Sequence, residues 1–379
     1  MIYSDLRATE PMSRVVLPSG HEAWLVSRYE DVRTVLSDPR FSRNLFYPGA
    51  PCLIEPGDFS TGERSILNLD PPDHTRLRRL AAKAFTARRI EGMRGRIEQI
   101  TLDLLDRMSA EPPPVDLIEE FAFPLPTAVI CELLGVPFED RERFRAWSTV
   151  IVTPMQHSME DVAAAQRDGA DDMRRLVEIK RAQPGNDLLT GLIEARDNEA
   201  RLSEDELIVL ATTLLLAGHE TTVSLIGTGA VLLMRHPDQL AALRADPTLI
   251  GSAVEEILRY ESPADTSMLR VAVADVELGG VRIQKGEAVM AVTGSANFDE
   301  RQFASPATFD IARTHNPHLG FGHGIHFCIG APLARIEGQV ALAALLDRFP
   351  GLRLAVSPEE IVWRPPLSVR GPVAVPITW

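Results

Sequence analysis

Residues 321–335 read Phe321-Gly-His-Gly-Ile-His-Phe-Cys328-Ile-Gly-Ala-Pro-Leu-Ala-Arg335, so a single thiol lies in a glycine-rich loop. Glycines at 322, 324 and 330 allow positive φ angles and a close approach of the backbone to something flat and bulky. From Ala331 the apolar residues recur at helical spacing, and Pro332 falls in the first turn, where a missing N–H costs nothing. The stretch therefore predicts a helix that begins directly after the cysteine loop.

The position of Cys328 just before a helix favours a thiolate, because unpaired N–H groups and the positive end of the helix dipole face it. The other two cysteines, Cys52 and Cys131, are distant in sequence, whereas a zinc site needs four ligands. One thiolate suits a single axial position on a haem iron. The alternative is a buried structural cysteine, since free cysteine is among the most buried residue types.

This fifteen-residue stretch resembles the cysteine-ligand loop of the cytochrome P450 family, and it matches bacterial members nearly position for position. The resemblance covers essentially the whole chain. It implies a mainly α fold with small β-sheets, in one large domain over residues 1–379. It also implies haem b (iron protoporphyrin IX) with Cys328 as the axial thiolate. The loop residues that would contact this cofactor are Phe321, Gly322, His326, Cys328 and Gly330.

Composition and charge narrow the class of protein. Hydrophobic residues make up 45% and charged residues 24% of the 379 residues, as in ordinary globular proteins. Three widely spaced cysteines form no disulfide framework and favour a reducing cytoplasm. The net charge of −14 disfavours general affinity for nucleic acid or anionic membranes. The first thirty residues contain no apolar run long enough for a signal peptide or membrane anchor, so we expect a cytoplasmic protein.

Apolar periodicity predicts mostly helices, at about 75–87, 91–110, 118–134, 139–150, 160–182, 204–235, 250–260 and 332–348. Short strands are predicted at 23–26, 271–278 and 288–292, with a hairpin turn at Gly279-Gly280. Residues 44–68 and 151–157 form irregular connections. The family resemblance implies that they cap a substrate pocket, and the alternative is mobile surface loops.

Ser203-Glu-Asp-Glu206 is a capping box ahead of a long apolar pattern that ends near Met234. Such a helix would be about 40 Å long, enough to cross a domain. A transmembrane span is disfavoured because the ionisable residues of Gly218-His-Glu-Thr-Thr222 would lie at bilayer depth. We instead predict that Ala217 and Gly218 leave room for a planar cofactor. The Thr221 hydroxyl would bond the Ala217 carbonyl one turn earlier, which is often all that a helical threonine does.

The run from Ala217 to Thr222 resembles the oxygen-activation motif of the same family. The resemblance implies that Thr221 steadies dioxygen and that Glu220 relays protons from solvent. Positioned proton transfer contributes on the order of 10²–10⁴ in rate. His219 is interpreted as a packing or channel residue.

Glu256 and Arg259 lie three residues apart on one helix face, where an exposed pair contributes only about 0.2–0.5 kcal/mol. They match the family's Glu-x-x-Arg motif, which implies a buried structural pair that Arg313 would complete. The resemblance also assigns the haem propionates, which need cationic or hydrogen-bonding partners, to His74, Arg78, Arg270 and His326. One departure is Phe298, where bacterial relatives usually carry arginine.

Two surfaces remain hypotheses from the sequence. A basic patch at Arg76, Arg79 and Lys83 would dock an acidic electron donor, a ferredoxin or flavodoxin served by its reductase, or would simply be a solvated helix face. The candidate substrate-pocket residues are apolar: Val150, Met155, Leu214, Ala217, Ala264, Leu269 and Leu367.

The sequence thus predicts a haem-thiolate monooxygenase that inserts one oxygen atom of O2 into a hydrophobic small molecule by hydroxylation or epoxidation. Its expected role is natural-product tailoring of a polyketide or macrolide, a peptide or a terpenoid. Electrons would come from outside, since no flavin domain follows before Trp379. The alternatives are a peroxide-driven oxidase or isomerase on the same scaffold, a non-catalytic haem sensor, and a helical protein without haem whose cysteine is structural.

Overall fold

A computed structural model describes residues 2–47, 50–53, 64–83, 85–137, 140–152, 157–197, 202–364 and 369–379. The helices are α1 (Ile2–Thr9), α2 (Tyr29–Ser37), α3 (Asp73–Ala82), α4 (Ala87–Gly92), α5 (Arg94–Ala110), α6 (Pro124–Leu134), α7 (Arg141–Val152), α8 (Met159–Ala182), α9 (Leu188–Asp197), α10 (Glu204–Arg235), α11 (Pro237–Ala245), α12 (Ile250–Tyr260), α13 (Thr293–Ala296) and α14 (Ala331–Arg348). The strands are β1 (Met12–Val16), β2 (Glu22–Val26), β3 (Phe41–Ser42), β4 (Val115–Asp116), β5 (Arg270–Ala272), β6 (Val276–Leu278), β7 (Val281–Ile283), β8 (Ala288–Ala291), β9 (Arg353–Leu354) and β10 (Pro376–Thr378). The predicted mainly α class with small sheets is confirmed.

The chain divides into two compact units, each built from two segments. Unit 1 comprises Met1–Asp70 and His236–Ala331, and unit 2 comprises Pro71–Arg235 and Pro332–Trp379. The boundaries of a single domain over residues 1–379 stay a prediction.

Unit 1 is organised around a five-stranded sheet in the order β1-β2-β8-β5-β3. Only the β2–β8 pair is parallel among the described strands of this sheet. Along β8, Val289 and Ala291 join one buried apolar cluster while Ala288 and Met290 join another. Both sheet faces are therefore covered, which explains why β8 is apolar at every position. A separate hairpin, β6–β7, turns at Gly279-Gly280 as predicted.

Unit 2 is a helical assembly around α10, which contacts α6, α7, α8 and α9. The capping box is confirmed: Glu206 N–H donates to Ser203 Oγ at 3.1 Å, and Ser203 N–H donates to Glu206 Oε2 at 2.9 Å. The helix is long and apolar enough to span a membrane, with a mean hydropathy of 1.4, but 72% of that apolar window is buried. It is therefore a core helix, hydrophobic nearly all round because it is covered nearly all round. A small sheet, β4-β10-β9, completes the unit.

Several predicted elements need correction. The helix expected over 75–87 is α3, which ends at Ala82, and a separate helix, α4, begins at Ala87. The helix expected over 118–134 begins as a π-helical turn and restarts at Pro124, whose ring favours a helix start. The strand expected over 271–278 is two strands of different sheets, β5 and β6. Helices α1, α2, α9 and α11 were missed because each spans only eight to ten residues, so its apolar period repeats too few times to stand out.

Candidate functional site

The cysteine loop of unit 1 ends directly at α14, and its thiol side chain is exposed. Cys328 N–H donates to Phe321 O at 2.9 Å, which closes the loop on itself. Gly324 has a φ of +72°, and a side chain there would put a carbon 2.5 Å from Leu36 O. Glycine is therefore required at 324 both by the backbone conformation and by the close approach to α2.

The face of this loop beside the thiol is open and apolar. Phe327 is 39% exposed and Ile325 is 47% exposed, and no described atom lies within 4 Å of where a side chain on Gly322 would begin. Such a surface suits a flat apolar group. The prediction for Gly330 needs a partial correction, because this residue lacks the expected positive φ. A side chain at 330 would begin 3.8 Å from Cys328 Sγ.

The middle of α10 contains a break in its burial. Ala217 is exposed and Thr221 is half-buried, whereas residues 222–233 are all buried. Thr221 Oγ1 donates to Ala217 O at 3.1 Å, as predicted. Gly218 requires a different explanation: a side chain there would begin 2.6 Å from Ile130 Cδ1 of α6. Its missing side chain is thus accounted for by helix packing, and its contact with a cofactor stays a prediction.

Glu220 is buried, with 2% of its side chain exposed, and its carboxylate is paired with an arginine that sequence reasoning missed. Arg364 Nη1 donates to Glu220 Oε2 at 2.5 Å. Next to it, His219 Nδ1 donates to Leu215 O at 3.1 Å. Burial lowers the pKa of His219 below its usual value, although the nearby Glu220 opposes that shift, so we expect a neutral ring at pH 7.

Glu256 is the centre of a buried network in unit 1. Its carboxylate accepts hydrogen bonds from both Nε and Nη2 of Arg259 at 2.8 and 2.7 Å, and from Arg313 Nε at 3.1 Å. Asp310 N–H and Asn316 Nδ2 also donate to it. The side chains of Glu256 and Arg259 are completely buried, so all of these donors act without competition from water.

The guanidinium of Arg259 links this network to the surrounding chain. It donates to three backbone carbonyls, those of Asn297, Pro306 and Thr308. Phe298 lies with its ring centre 5.3 Å from the guanidinium carbon, so the residue that departs from the bacterial pattern covers a buried cation.

Comparison with known proteins assigns the chain to a family. The family model described as Cytochrome P450 matches residues 142–360, more than half of the chain. The chain belongs to the cytochrome P450 family. It is 48% identical to Cytochrome P450 107B1 of Saccharopolyspora erythraea, covering 99% of this chain and 93% of that protein. It is 46% identical to the mycinamicin IV hydroxylase/epoxidase of Micromonospora griseorubida, covering 100% and 94%.

A solved structure agrees in fold. The putative thioether synthase SgvP, involved in the tailoring step of griseoviridin, superposes with a TM-score of 0.95 at 45% identity, covering 100% of this chain and 95% of that one. This chain is accordingly a P450 monooxygenase, an oxidoreductase that receives electrons from an external partner and acts on hydrophobic substrates. Membership of the family implies a haem-thiolate cofactor.

The residues of this P450 fit a bound anion at Arg270, as a haem propionate would require. Arg270 is buried; its Nη1 donates to Phe41 O at 3.0 Å, and its Nε has no hydrogen-bond partner among the described residues. Burial lowers the pKa of Arg270 to about 10, although Asp70 opposes that shift. A desolvated guanidinium with a spare donor is stabilised by an added carboxylate.

The other predicted propionate partners are distributed over both units. His74 is buried in the first turn of α3, and Arg78, one turn later, is half-buried. His326 lies in unit 1 within the cysteine loop and is half-buried.

The predicted basic patch on α3 is smaller than expected. Arg79 and Lys83 are exposed, but Arg76 Nη1 donates to Glu206 Oε2 at 3.0 Å, at the first turn of α10. The Arg76 charge is therefore already balanced inside unit 2. This correction leaves Arg79 and Lys83 as the patch.

The described residues of the predicted substrate pocket belong to both units, and they differ in burial. Leu269 is corrected to a core residue of unit 1, because it is buried in the apolar cluster behind the five-stranded sheet. Ala264 is exposed and Leu214 is buried in α10, while Met155 and Leu367 lie outside the described residues. Val150 lines an open groove of roughly 800 Å³ between α7 and α8. Four aspartates also line that groove, so it is unsuited to an apolar substrate.

Proposed function

We propose that this P450 is a haem-thiolate monooxygenase that tailors a hydrophobic natural product, such as a polyketide or macrolide, a peptide or a terpenoid. One oxygen atom of O2 enters the substrate as a hydroxyl or an epoxide, and the other leaves as water with two electrons and two protons consumed. The main observation that supports the proposal is the break in the burial of α10, where a threonine hydroxyl and a buried carboxylate lie next to an exposed turn.

In this mechanism each group has a separate task. The Cys328 thiolate would hold haem b at its iron, and Arg270, His74, Arg78 and His326 would hold its propionates; when bound, the haem would supply the oxygen-activating chemistry. The Thr221 hydroxyl orients dioxygen, and it also orients the last protons that are delivered to dioxygen. Glu220 accepts protons from the solvent side and passes them inward.

The class of substrate and the electron donor can be inferred in the same way. The relative that hydroxylates or epoxidises mycinamicin IV supports a bulky, mostly apolar substrate. We infer that the protein is cytoplasmic and that a ferredoxin, or a flavodoxin, with its reductase supplies the electrons. The exposed Arg79 and Lys83 would attract the acidic surface of that donor.

Replacing Thr221 by alanine should separate electron use from product formation. Without the hydroxyl, protons reach dioxygen without control, so product per electron should fall about tenfold or more and hydrogen peroxide should rise correspondingly. The measurement is product and peroxide per NAD(P)H consumed in a reconstituted donor system. Thr221→Ser keeps the hydroxyl and should stay coupled. An unchanged product yield for Thr221→Ala would favour the peroxide-driven alternative.

Reversing the charge of Arg79 and Lys83 to glutamate should slow reduction by the donor about tenfold at low salt, because complementary charge acts mainly on the association rate. Stopped-flow reduction at several ionic strengths measures the effect, and the substrate-induced absorbance change should be unaltered. The matched control is Arg282→Glu with Lys285→Glu, two exposed cations on and beside β7. Equal reduction rates for both double variants would reject the patch.

A further inference from the structure

Two described stretches near the C-terminus, residues 363–364 and 371–372, pack along one face of α10. A bridge between Trp363 and Pro372 joins them, and Arg364 N–H donates to Gly371 O at 2.9 Å. Three α10 residues, Glu220, Ser224 and Gly227, lie four and three positions apart and therefore face the same way.

Each of those three α10 residues meets one residue of these two stretches. Arg364 bonds Glu220, and Gly371 lies against Ser224 so closely that a side chain at 371 would overlap the serine hydroxyl. At Gly227, a side chain would begin 3.3 Å from Pro372 Cγ. The Arg364 backbone, which bonds Gly371 O, is thus held beside α10 by the packing of Gly371 against Ser224 and of Pro372 against Gly227.

Among the described side chains, Arg364 is the one whose positive charge pairs with the Glu220 carboxylate on this face. The side chains of Glu220 and Arg364 are 2% and 11% exposed, and a buried carboxylate is strongly disfavoured without a partner. His219 cannot supply one. Its Nδ1–H is directed at Leu215 O, so in the neutral ring the Nε2 atom, 3.8 Å from Glu220 Oε1, carries a lone pair and no proton. Across the described chain, Arg364 is the side chain that donates to this carboxylate.

We propose that Arg364 is a positioning residue for proton delivery: it pairs with the charge of the Glu220 carboxylate and orients this carboxylate in the wall of α10. The inference rests on the proposed function, in which Glu220 is the relay. In each transfer a proton from water forms an O–H bond on Glu220, and that bond breaks when the proton moves inward. Arg364 keeps its own charge throughout and stabilises the carboxylate state to which the relay returns.

The groups that face Glu220 determine the effect of removing Arg364. Arg364 comes from the first of the two C-terminal stretches and His219 from α10 itself, while the Phe123 ring that packs on His219 carries no charge. Without Arg364, the carboxylate would be left buried with an uncompensated charge, which binding a proton would remove. A relay that does not release its proton readily slows delivery.

The test uses the haem-loaded enzyme with Arg364→Gln, Arg364→Lys and the matched control Arg370→Gln, whose guanidinium lies over Trp363. We expect Arg364→Gln to lower kcat about tenfold at pH 7.5 with KM unchanged, and to raise the solvent deuterium isotope effect on kcat. Arg364→Lys should recover part of the loss, and Arg370→Gln should behave as wild type.

A second readout reports on the carboxyl group without turnover. The infrared spectrum of Arg364→Gln should gain a protonated-carboxyl band that is missing from the Arg364→Gln, Glu220→Gln double variant. Burial raises the pKa of Glu337 well above its usual value, so its acid absorbs in every variant and cancels in the difference. If Arg364→Gln shows neither the band nor the isotope effect, the inference fails. That failure is distinct from the failure of the proposed function, which would appear as unaltered coupling in Thr221→Ala.

Discussion

Replacing Cys328 by serine is expected to abolish the red-shifted absorption that thiolate coordination gives the reduced, carbonyl-ligated pigment, and to reduce turnover to the background rate. In our proposal the exposed thiol just before α14 would hold the haem iron, and a hydroxyl oxygen would donate far less electron density to that iron. The measurement is the reduced carbonyl difference spectrum of the purified protein, with haem content determined separately.

The chain offers two matched controls for this variant. Cys52 is half-buried and Cys131 is buried in α6, where burial raises the pKa of its thiol to about 11. A thiol with that pKa is not a thiolate at neutral pH, so Cys131→Ala should keep the wild-type spectrum. Cys52 lies outside the cysteine loop, so Cys52→Ser should keep it as well. A wild-type spectrum in Cys328→Ser, or a colourless wild-type protein, would overturn the assignment and favour a structural cysteine.

The features that sequence predicted well are local ones. The helix after the cysteine loop, the capping box at Ser203 and the bond from Thr221 to Ala217 each depend on residues within a few positions of one another. Local geometry follows from residue type and spacing, so a single sequence contains it. The two-residue turn at Gly279-Gly280 was predictable for the same reason.

The errors about side-chain partners concern residues that are distant in sequence. The absence of a side chain at Gly218 was attributed to a cofactor, whereas Ile130 occupies the space beside it. Arg76 was assigned to a docking surface, whereas Glu206 balances its charge. Arg364 was missed altogether because it lies 144 residues from Glu220. The only sequence clue was that a glutamate inside a long apolar helix requires a buried cation from somewhere.

Glu256 is where a single substitution should damage the fold most. Glu256→Gln removes one formal charge but almost no volume, and it leaves Arg259 fully buried without a counter-ion. Breaking a buried pair in this way costs about 3–5 kcal/mol, a large part of the roughly 5–15 kcal/mol that stabilises an ordinary domain. Three of the hydrogen bonds to this carboxylate, from Asp310, Arg313 and Asn316, join α12 to residues 310–316, so we expect that segment to loosen first.

The neighbouring residue makes this prediction specific. Glu255 lies on the same helix, is 27% exposed, and pairs with His318 at 3.1 Å, so Glu255→Gln should cost less than about 1 kcal/mol. The comparison is the denaturant midpoint of the two haem-loaded variants and their yield of folded, haem-containing protein. Equal midpoints would mean that Arg259 is stabilised by its three carbonyl partners and the rings around it, without the carboxylate. In that case the Glu256–Arg259 pair would not be what stabilises this part of unit 1.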